Sequence, residues 1–326
     1  MTNSNFTSRQ ICPACGSASR SNLCDYSYVD GPIRDHLEWY YTTIGQGVEF
    51  ELLEGARYCL EECGSCGLIY QRHAPGEELL ERLYNVWIDT AELRRRSPRR
   101  ADYYLWSAGQ IAKALDCLDK APRDVRFLDF GMGFGNWCIL AKGFGCDAWG
   151  TDLSEDQSNH AAASGIQLFD WNAPSDRPFD FINAEQVFEH LTDPLDTLKE
   201  FRQMIDDNGV VRISVPVGWD VKRRLAIGDW SVADDHPDSL NAVAPLQHIN
   251  CFNFTSLRIM AETAGFRLLE FPPGEFRPST NREAVKLLLL NVYRSVFPVR
   301  SQERTIRNAR RAMEKQSTIY LRPVSE

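Results

Sequence analysis

One stretch, residues 125–142, constrains the fold more than any other part of the chain. A β-rich run, residues 125–130, passes directly into Gly131-Met132-Gly133-Phe134-Gly135, and residues 137–142 have helical character. A strand, a glycine turn and a helix in this order form the first unit of a doubly wound sheet. Glycines in such a turn let the backbone approach a ligand closely and bring the helix N-terminus to it.

The chain continues with further β-rich runs separated by connecting segments. They cover residues 147–152, 166–170, 179–184, 210–216 and 266–271, and Ile319-Tyr320-Leu321 is expected to form a last, antiparallel strand. The pattern predicts an α/β fold with a Rossmann-like seven-stranded sheet. The core of this sheet is expected within residues 121–272, and its last strand near residues 318–322.

Acidic side chains at two strand ends indicate the kind of ligand. Asp152 ends the second run about 20 residues after the turn, where a carboxylate binds ribose hydroxyls. Asn136 occupies the position at which a dinucleotide-binding motif has its third glycine. The turn therefore differs from one that binds the pyrophosphate of a dinucleotide. Asp129 precedes the turn and can hold an ammonium group. A ligand with ribose, an amino-acid end and no phosphate is S-adenosylmethionine; a dinucleotide or no ligand is the alternative.

Several short motifs carry a family resemblance. They are Phe127-Leu128-Asp129-x-Gly131-x-Gly133-x-Gly135, Gly150-Thr151-Asp152, the stretch 186–194, Ile213-Ser214-Val215-Pro216 and Gln247-His248-Ile249-Asn250-x-Phe252, in that order. The chain resembles class I S-adenosylmethionine-dependent methyltransferases. More narrowly, it resembles bacterial methyltransferases with an N-terminal zinc ribbon, a group that includes C-methyltransferases of nucleotide-linked sugars. The resemblance covers residues 10–271.

The resemblance implies a set of cofactor contacts. Gly131 and Gly133 of the turn would lie against the methionine part of S-adenosylmethionine. Asp152 would bind its ribose and Asp170 would contact its adenine. Gln186, which replaces a more usual acid, would lie beside the sulfonium with Ala184. The full expected set is Asp129, Gly131, Gly133, Gly135, Asp152, Leu153, Asp170, Ala184 and Gln186.

Two histidines are the candidate catalytic residues, because a hydroxyl or carbon acceptor needs a base of near-neutral pKa. His248 ranks first and His190 second; a purely structural role is the alternative for each. In the sugar C-methyltransferases a Tyr-x-Glu-His stretch supplies catalytic groups, but only His248 of that stretch is present here. The long segment 217–246 is interpreted as an acceptor-binding lid, in which Trp219 and Trp230 either stack on a sugar or simply pack.

Six of the ten cysteines fall in the first fifth of the chain. Two C-x-x-C-G turns, Cys12 with Cys15 and Cys63 with Cys66, can direct four thiolates at one point, which suits a structural Zn²⁺ ion. Residues 1–75 are therefore predicted to be a zinc-ribbon-like module, with β-rich runs at 48–53, 56–60 and 68–70. Free or redox-active cysteines are the alternative, and Cys24 or Cys59 could replace a ligand.

The remaining segments are expected to be mostly helical. Residues 76–120 are predicted to form a helical linker or cap, with helices at 77–87 and 102–118. The basic run 94–100 is either a solvated connector or an anion-binding flap over a phosphorylated substrate. Residues 273–326 are predicted to contain a basic helical tail, an insertion or extension that could be solvated, form a dimer contact or attach to an anionic membrane surface. The oligomeric state stays open.

Charge and composition narrow the class of function. The net charge is −9, which disfavours nucleic acid as a partner. No signal peptide or membrane span is expected, so a cytoplasmic location is predicted. The expected function is methyl transfer to a small-molecule acceptor: a sugar, nucleotide-sugar or glycan precursor. The alternatives are an RNA methyltransferase that grips RNA with its zinc ribbon, and a cofactor-binding scaffold without turnover.

Overall fold

The computed structural model describes residues 4–90, 92, 95, 99–171, 173, 177–216, 218, 220–232, 236–269 and 316–324. The N-terminal part begins with a small antiparallel sheet and one helix. Its elements are β1 (Phe6–Ser8), β2 (Arg20–Ser27), α1 (Gly31–Ile44), β3 (Arg57–Cys63), β4 (Ile69–Gln71) and β5 (His73–Pro75). β2, β3 and β4 pair in sequence order, and β1 pairs with β5.

The structure of this region agrees only in part with the predictions made from its sequence. The expected strand at 48–53 is wrong, because Phe50–Leu53 is a short 3-10 helix with Leu53 buried. Helix α1 was not expected. It begins with Pro32 in its first turn, and it buries Ile33, Leu37 and Tyr41, which lie on one face at a spacing of four residues.

Two helical segments connect the N-terminal part to the central sheet. The first is α2 (Glu77–Arg82), which continues into a π-helical turn (Leu83–Trp87), and the second is α3 (Ala101–Leu115). Both predicted helices are therefore present. Leu105, which was counted among the apolar residues of the second helix, is 75% exposed.

The central layer is the predicted seven-stranded sheet. Its strands and the elements between them are β6 (Arg126–Phe130), α4 (Asn136–Phe144), β7 (Asp147–Thr151), α5 (Glu155–Ala163), β8 (Gln167–Leu168), β9 (Phe179–Glu185), α6 (Pro194–Met204), β10 (Ile205–Pro216), α7 (Val221–Ile227), β11 (Asn250–Cys251), α8 (Phe254–Thr263), β12 (Phe266–Leu268) and β13 (Gln316–Pro323). The strand order is β12-β13-β10-β9-β6-β7-β8. Only β13 runs antiparallel to its neighbours.

Burial explains why these runs form a parallel sheet. Strands covered by helices on both faces read as continuous apolar runs, and nearly all residues of β6 and β9 are buried. Because β6, β7 and β9 are parallel neighbours, their carboxyl ends meet at one edge of the sheet. Ligands of doubly wound sheets bind at this edge.

The segment between β10 and α8 is not a lid. It supplies β11, which pairs with β4 at the edge of the N-terminal sheet, and it shares one apolar core with the N-terminal residues. Trp230 is 5% exposed, and its ring centroid lies 5.4 Å from that of Tyr58. Trp230 is thus a packing residue, whereas Trp219 lies outside the described residues. The lid interpretation fails because this segment covers apolar surface that the N-terminal sheet cannot bury alone.

Several expectations fall on residues that the structure does not describe. These are the helical tail up to residue 315 and most of the basic run 94–100. Within the described part of the chain, no helix has the length and apolar character needed to span a membrane.

Candidate active site

The glycine turn after β6 has the conformation that glycine alone adopts readily. Gly131, Gly133 and Gly135 have φ values of 72°, 55° and 76°. The amide of Gly131 donates to the carbonyl oxygen of Thr151 at 2.9 Å, which ties the turn to the end of β7. A Cβ atom at position 131 would lie 2.5 Å from Cγ2 of Val187. The turn therefore needs glycine at its first position for both conformation and space.

A cavity of about 880 Å³ opens beside this turn. Its walls come from the turn itself, from Asp129 near the end of β6, from Glu185 at the end of β9 and Gln186 after it, and from the α3 side chains Tyr103 and Trp106. The volume lies near the upper end of the roughly 300–1,000 Å³ typical of ligand pockets. The cavity can hold a cofactor together with part of a second ligand.

Asp129 is a buried acidic group in the wall of this cavity. Its side chain is buried, and Oδ1 accepts a hydrogen bond from Nδ2 of Asn183 at 2.7 Å. Oδ2 has no hydrogen-bond partner among the described residues. Burial raises the pKa of Asp129 to about 8. A cationic ligand group at Oδ2 would supply the missing partner and stabilise the ionised form.

A buried arginine organises the polar groups behind the cavity. Arg212 on β10 donates from Nη1 to Oδ1 of Asn183 at 2.8 Å and to Oε2 of Glu185 at 2.6 Å. Its guanidinium lies 4.6 Å from the ring centroid of Trp137. The sequence analysis missed these groups, although a polar residue in the middle of an apolar strand, as at 183 and 212, was a visible signal.

The residues expected on the adenosine side lie at the same edge but do not line the cavity. Asp152 accepts hydrogen bonds from the amides of Gly133 at 2.8 Å and Ser154 at 2.9 Å. Leu153 is 72% exposed, and Asp170 is exposed just beyond the end of β8. Ala184 is fully buried within β9. The structure therefore connects Asp152 to the glycine turn through a hydrogen bond.

Gln186 follows β9 in a strained conformation. Its φ value is 56°, which is uncommon for a residue other than glycine, and such residues cluster at functional sites. The strain is held by a hydrogen bond from its amide to the carbonyl oxygen of Ser214 at 2.8 Å. This conformation puts Gln186 in the cavity wall, next to Glu185.

The two candidate catalytic histidines form a separate cluster. Nδ1 of His190 lies 2.9 Å from the carbonyl oxygen of Gln247, and Nδ1 of His248 is hydrogen-bonded to that of Asn241. Since a carbonyl oxygen only accepts, each Nδ1 carries the proton and each Nε2 keeps a lone pair. The ring centroids are 4.9 Å apart. Neither ring lines the cavity described above.

Burial lowers the pKa of both imidazoles. The pKa of His190 falls to about 3, chiefly by desolvation and further by the neighbouring His248. The pKa of His248 falls to about 4, again chiefly by desolvation. Both rings are therefore neutral at physiological pH.

The N-terminal part holds the segment that carries His190. Arg9 is buried and donates to Oδ1 of Asn250 at 2.8 Å and to the carbonyl oxygen of Ile249 at 2.9 Å. Asn250 in turn donates from Nδ2 to the carbonyl oxygens of Phe188 at 3.0 Å and Leu191 at 2.6 Å. These two carbonyls flank His190, so Arg9 acts on its position through Asn250.

A second set of contacts holds the segment of His248. Gln71 at the end of β4 donates from Nε2 to the carbonyl oxygens of Ala244 at 3.0 Å and His248 at 3.3 Å. Gln247 donates to the hydroxyl of Tyr41 on α1 at 2.9 Å. The N-terminal part and the histidine cluster are thus one continuous hydrogen-bonded structure.

The two C-x-x-C turns come together as predicted. Cys12 and Cys66 have their sulfurs 3.6 Å apart, and Cys15 and Cys63 have theirs 3.5 Å apart. All four sulfurs lie within 4.8 Å of one another. Four thiolates at about 2.3 Å from one Zn²⁺ ion would be about 3.8 Å apart, so the arrangement fits a tetrahedral zinc site.

The backbone of each turn follows the same pattern. Gly16 and Gly67 both have positive φ values, of 72° and 71°, and the amide of each donates to the carbonyl oxygen of the first cysteine of its pair at 2.9 Å. Cys59 does not join the cluster, and its sulfur accepts a hydrogen bond from Asn22. Cys24 is also outside the four-sulfur group.

Comparison with known proteins decides the family. A family model described as a methyltransferase domain matches residues 100–270, which is just over half of the chain. The chain belongs to this methyltransferase family. The match covers the glycine turn, most of the residues that line the cavity, and both histidines. No curated protein sequence matches the chain significantly.

Solved structures resemble this methyltransferase only distantly. Magnesium protoporphyrin IX methyltransferase (ChlM) from Synechocystis PCC 6803 is 11% identical, with a TM-score of 0.47 and coverage of 76% of this chain and 100% of that chain. The plantazolicin methyltransferase BpumL is 15% identical, with a TM-score of 0.47 and coverage of 72% and 90%. An S-adenosylmethionine-dependent methyltransferase from Clostridium acetobutylicum ATCC 824 is 12% identical, with a TM-score of 0.44 and coverage of 72% and 98%.

Proposed function

We propose that the cavity beside the glycine turn binds S-adenosylmethionine and that the methyl group goes to a sugar, a nucleotide-linked sugar or a glycan precursor. The observation that carries the cofactor assignment is the unpartnered, buried Oδ2 of Asp129 in the cavity wall. The methionine ammonium group supplies the cation that this oxygen lacks. The turn at Gly131 and Gly133 lets the backbone approach the methionine part closely.

The proposed ribose and adenine contacts continue along the same edge of the sheet. Asp152 uses two carboxylate lone pairs for the amides of Gly133 and Ser154, which leaves further lone pairs for ribose hydroxyls. Leu153 and Asp170 are proposed to cover the adenine ring and to bind its amino group. Ala184 and Gln186 are proposed to lie near the sulfonium end.

The cavity wall formed by α3 and the residues before it supports a sugar-type acceptor. Tyr103 and Trp106 present aromatic surface, and Asp102 offers a carboxylate for hydroxyl groups. Arg99 also lines the cavity and stacks 4.6 Å from the ring centroid of Tyr103. An arginine at this position suits a phosphate group. A nucleotide-linked sugar combines all three features.

The enzyme's main task is alignment, because the sulfonium group already activates the methyl group. We propose that Nε2 of His248 or of His190 acts on the proton of the acceptor. Both imidazoles are neutral and can accept a proton, but their lowered pKa values make them weak bases. General-base catalysis contributes most when the pKa lies near the working pH. Efficient proton transfer would therefore need a further group beside the histidines.

We propose that the four clustered cysteines bind a structural Zn²⁺ ion. Four thiolates leave no open position for a substrate, so the ion would stabilise the N-terminal part without taking part in the reaction. Asn253, which caps α8, donates from Nδ2 to the carbonyl oxygen of Gly67 at 2.7 Å. This contact joins the second cysteine turn directly to α8, a helix that covers the methyltransferase sheet.

A labelled-methyl transfer screen tests the proposal. The wild-type protein is incubated with methyl-labelled S-adenosylmethionine and panels of nucleotide-linked sugars, glycan precursors and bulk RNA. We expect label in a sugar, and a large loss of transfer in Arg99→Gln with phosphorylated acceptors but a smaller loss with neutral ones. Label in RNA alone would support the RNA alternative, and cofactor binding without transfer to any acceptor would support the scaffold alternative.

A further inference from the structure

Glu189 is a buried carboxylate that the proposed reaction has not used. Its side chain is 1% exposed, and neither of its oxygens has a hydrogen-bond partner among the described residues. Oε1 lies 3.8 Å from Nε2 of His190, which is too far for a hydrogen bond. Leaving such a carboxylate ionised without a partner is unfavourable, and burial raises the pKa of Glu189 well above its usual value. A bound cation would stabilise the ionised form.

The groups around Glu189 are also acceptors. His190 and His248 each donate Nδ1–H to a backbone carbonyl, so each presents an Nε2 lone pair. One ligand atom from each of the three residues lies within 4.8 Å of the other two. When Glu189 is ionised, neither imidazole can donate to it, because both Nδ1–H groups are engaged with backbone carbonyls. A cation is then a group that all three acceptors could share.

We propose that Glu189, His190 and His248 bind a divalent transition-metal ion. Two imidazole nitrogens and one carboxylate form the donor set of non-haem iron sites and of several catalytic zinc sites. Neighbouring ligand atoms at about 2.1 Å from one ion lie roughly 3.0–3.4 Å apart, so binding would draw Oε1 of Glu189 and Nε2 of His190 closer than their 3.8 Å separation. This site is distinct from the four-cysteine cluster, which has only sulfur ligands.

The surroundings of the two histidines match those of metal-bound imidazoles. Such histidines nearly always donate their second ring N–H to a carbonyl or carboxylate, which fixes the ring and its tautomer. The carbonyls of Gln247 and Asn241 take this position here. The contacts of Arg9, Asn250 and Gln71 hold the two segments that carry the ligands, so the site is preorganised by the N-terminal part.

Three protein ligands leave coordination positions open. In the context of the proposed function, on which this role rests, an acceptor hydroxyl or enol oxygen would bind at an open position and lose its proton more readily. The proton would pass to solvent, and the resulting oxyanion or carbanion would attack the methyl carbon while the S–CH₃ bond breaks and S-adenosylhomocysteine leaves. Gln186, three residues before Glu189, lines the cofactor cavity. With both Nε2 atoms bound to the ion, the histidines would act as ligands and not as bases, and the ion would activate the acceptor oxygen in their place.

Mn²⁺ binding to the full-length protein tests the site directly. After removal of adventitious metal, electron paramagnetic resonance is used to titrate Mn²⁺ without cofactor or acceptor. Mn²⁺ prefers oxygen and nitrogen over thiolate ligands, so the four cysteines should not contribute. We expect one bound Mn²⁺ per chain in the wild type and in Cys63→Ser. We expect binding at least about 100-fold weaker in Glu189→Gln and in His248→Gln.

A second readout covers the case in which these variants do not fold. In the wild-type complex, electron spin echo modulation should show two imidazole nitrogens coupled to the Mn²⁺ ion. Absence of saturable Mn²⁺ binding, binding without nitrogen modulation, or unchanged binding in a folded Glu189→Gln variant would each overturn the metal site. A protein that binds Mn²⁺ but transfers no methyl group would instead refute only the proposed function.

Discussion

Replacement of Asp129 by asparagine isolates the charge that we assign to cofactor binding. The variant keeps an oxygen for the hydrogen bond from Asn183 and removes the negative charge that faces the cavity. A hydrogen bond to a charged group contributes about 1.5–3 kcal/mol, and removing one partner of a buried ion pair costs about 3–5 kcal/mol. At about 1.4 kcal/mol per tenfold change, S-adenosylmethionine should bind roughly 10- to 4,000-fold more weakly.

The raised pKa of Asp129 adds a pH signature. Since this pKa is about 8 in the cofactor-free protein, the carboxyl group is protonated below that pH and must lose its proton to pair with the ammonium group. Affinity should therefore rise by about tenfold per pH unit up to pH 8 and then level off. The effect on stability has the opposite sign. The native state holds a proton that the unfolded chain has lost above its pKa of about 3.9, so stability falls as pH rises from about 4 to 8.

Isothermal titration calorimetry of wild type and Asp129→Asn between about pH 6 and pH 9 measures both effects. Wild type should release a proton on binding below pH 8, which buffers of different ionisation enthalpy reveal. Asp129→Asn should bind weakly with no such release. Equal affinities for the two proteins, or a pH-independent wild-type affinity, would refute the assignment of Asp129.

Four further substitutions test other parts of the structure. The Cys63→Ser variant should lose the zinc ion and have a lower melting temperature, whereas Cys59→Ser should keep the zinc. Elemental analysis measures the zinc content of each variant. Equal zinc contents in the two variants would contradict the four-cysteine site. The Gly131→Ala substitution should lower stability by about 1–3 kcal/mol through backbone strain, and further through the close contact of the new Cβ with Val187. In thermal melts the variant should no longer be stabilised by S-adenosylhomocysteine. Stabilisation of the variant by this ligand would contradict the role of the turn. Arg9→Gln should destabilise by about 1–3 kcal/mol and lower kcat with little change in cofactor affinity; a change confined to cofactor affinity would show that Arg9 does not act on the histidines.

The central sheet was predictable from the sequence for a local reason. Strands buried on both faces, such as β9, are nearly uninterrupted apolar runs, and the turn at Gly131 fixes where one of them ends. The four clustered cysteines were also predictable, because C-x-x-C-G spacing determines the local turn. In both cases residues close in sequence carry the information.

The predictions that were wrong concern segments whose structure depends on contacts between residues far apart in the sequence. Nothing in residues 217–251 indicates that their apolar side chains pack against α1 and β3, because that requires knowing which surfaces meet. Residues 48–53 alternate like a strand but have no strand to pair with, and Leu53 is buried in a 3-10 helix instead. Glu189 was not predicted to be a site residue. Only the structure shows that its side-chain oxygens lack hydrogen-bond partners and that it lies beside His190 and His248.

The central claim is that S-adenosylmethionine binds at the glycine turn, and hydrogen exchange tests it most directly. Exchange of backbone amides is followed by mass spectrometry with and without saturating S-adenosylmethionine. We predict slower exchange in peptides that contain Gly131–Gly135 and Asp152–Ser154, because the cofactor covers the first and orders the second through Asp152. Saturable binding with protection confined to other parts of the chain, or no protection at all, would contradict the claim.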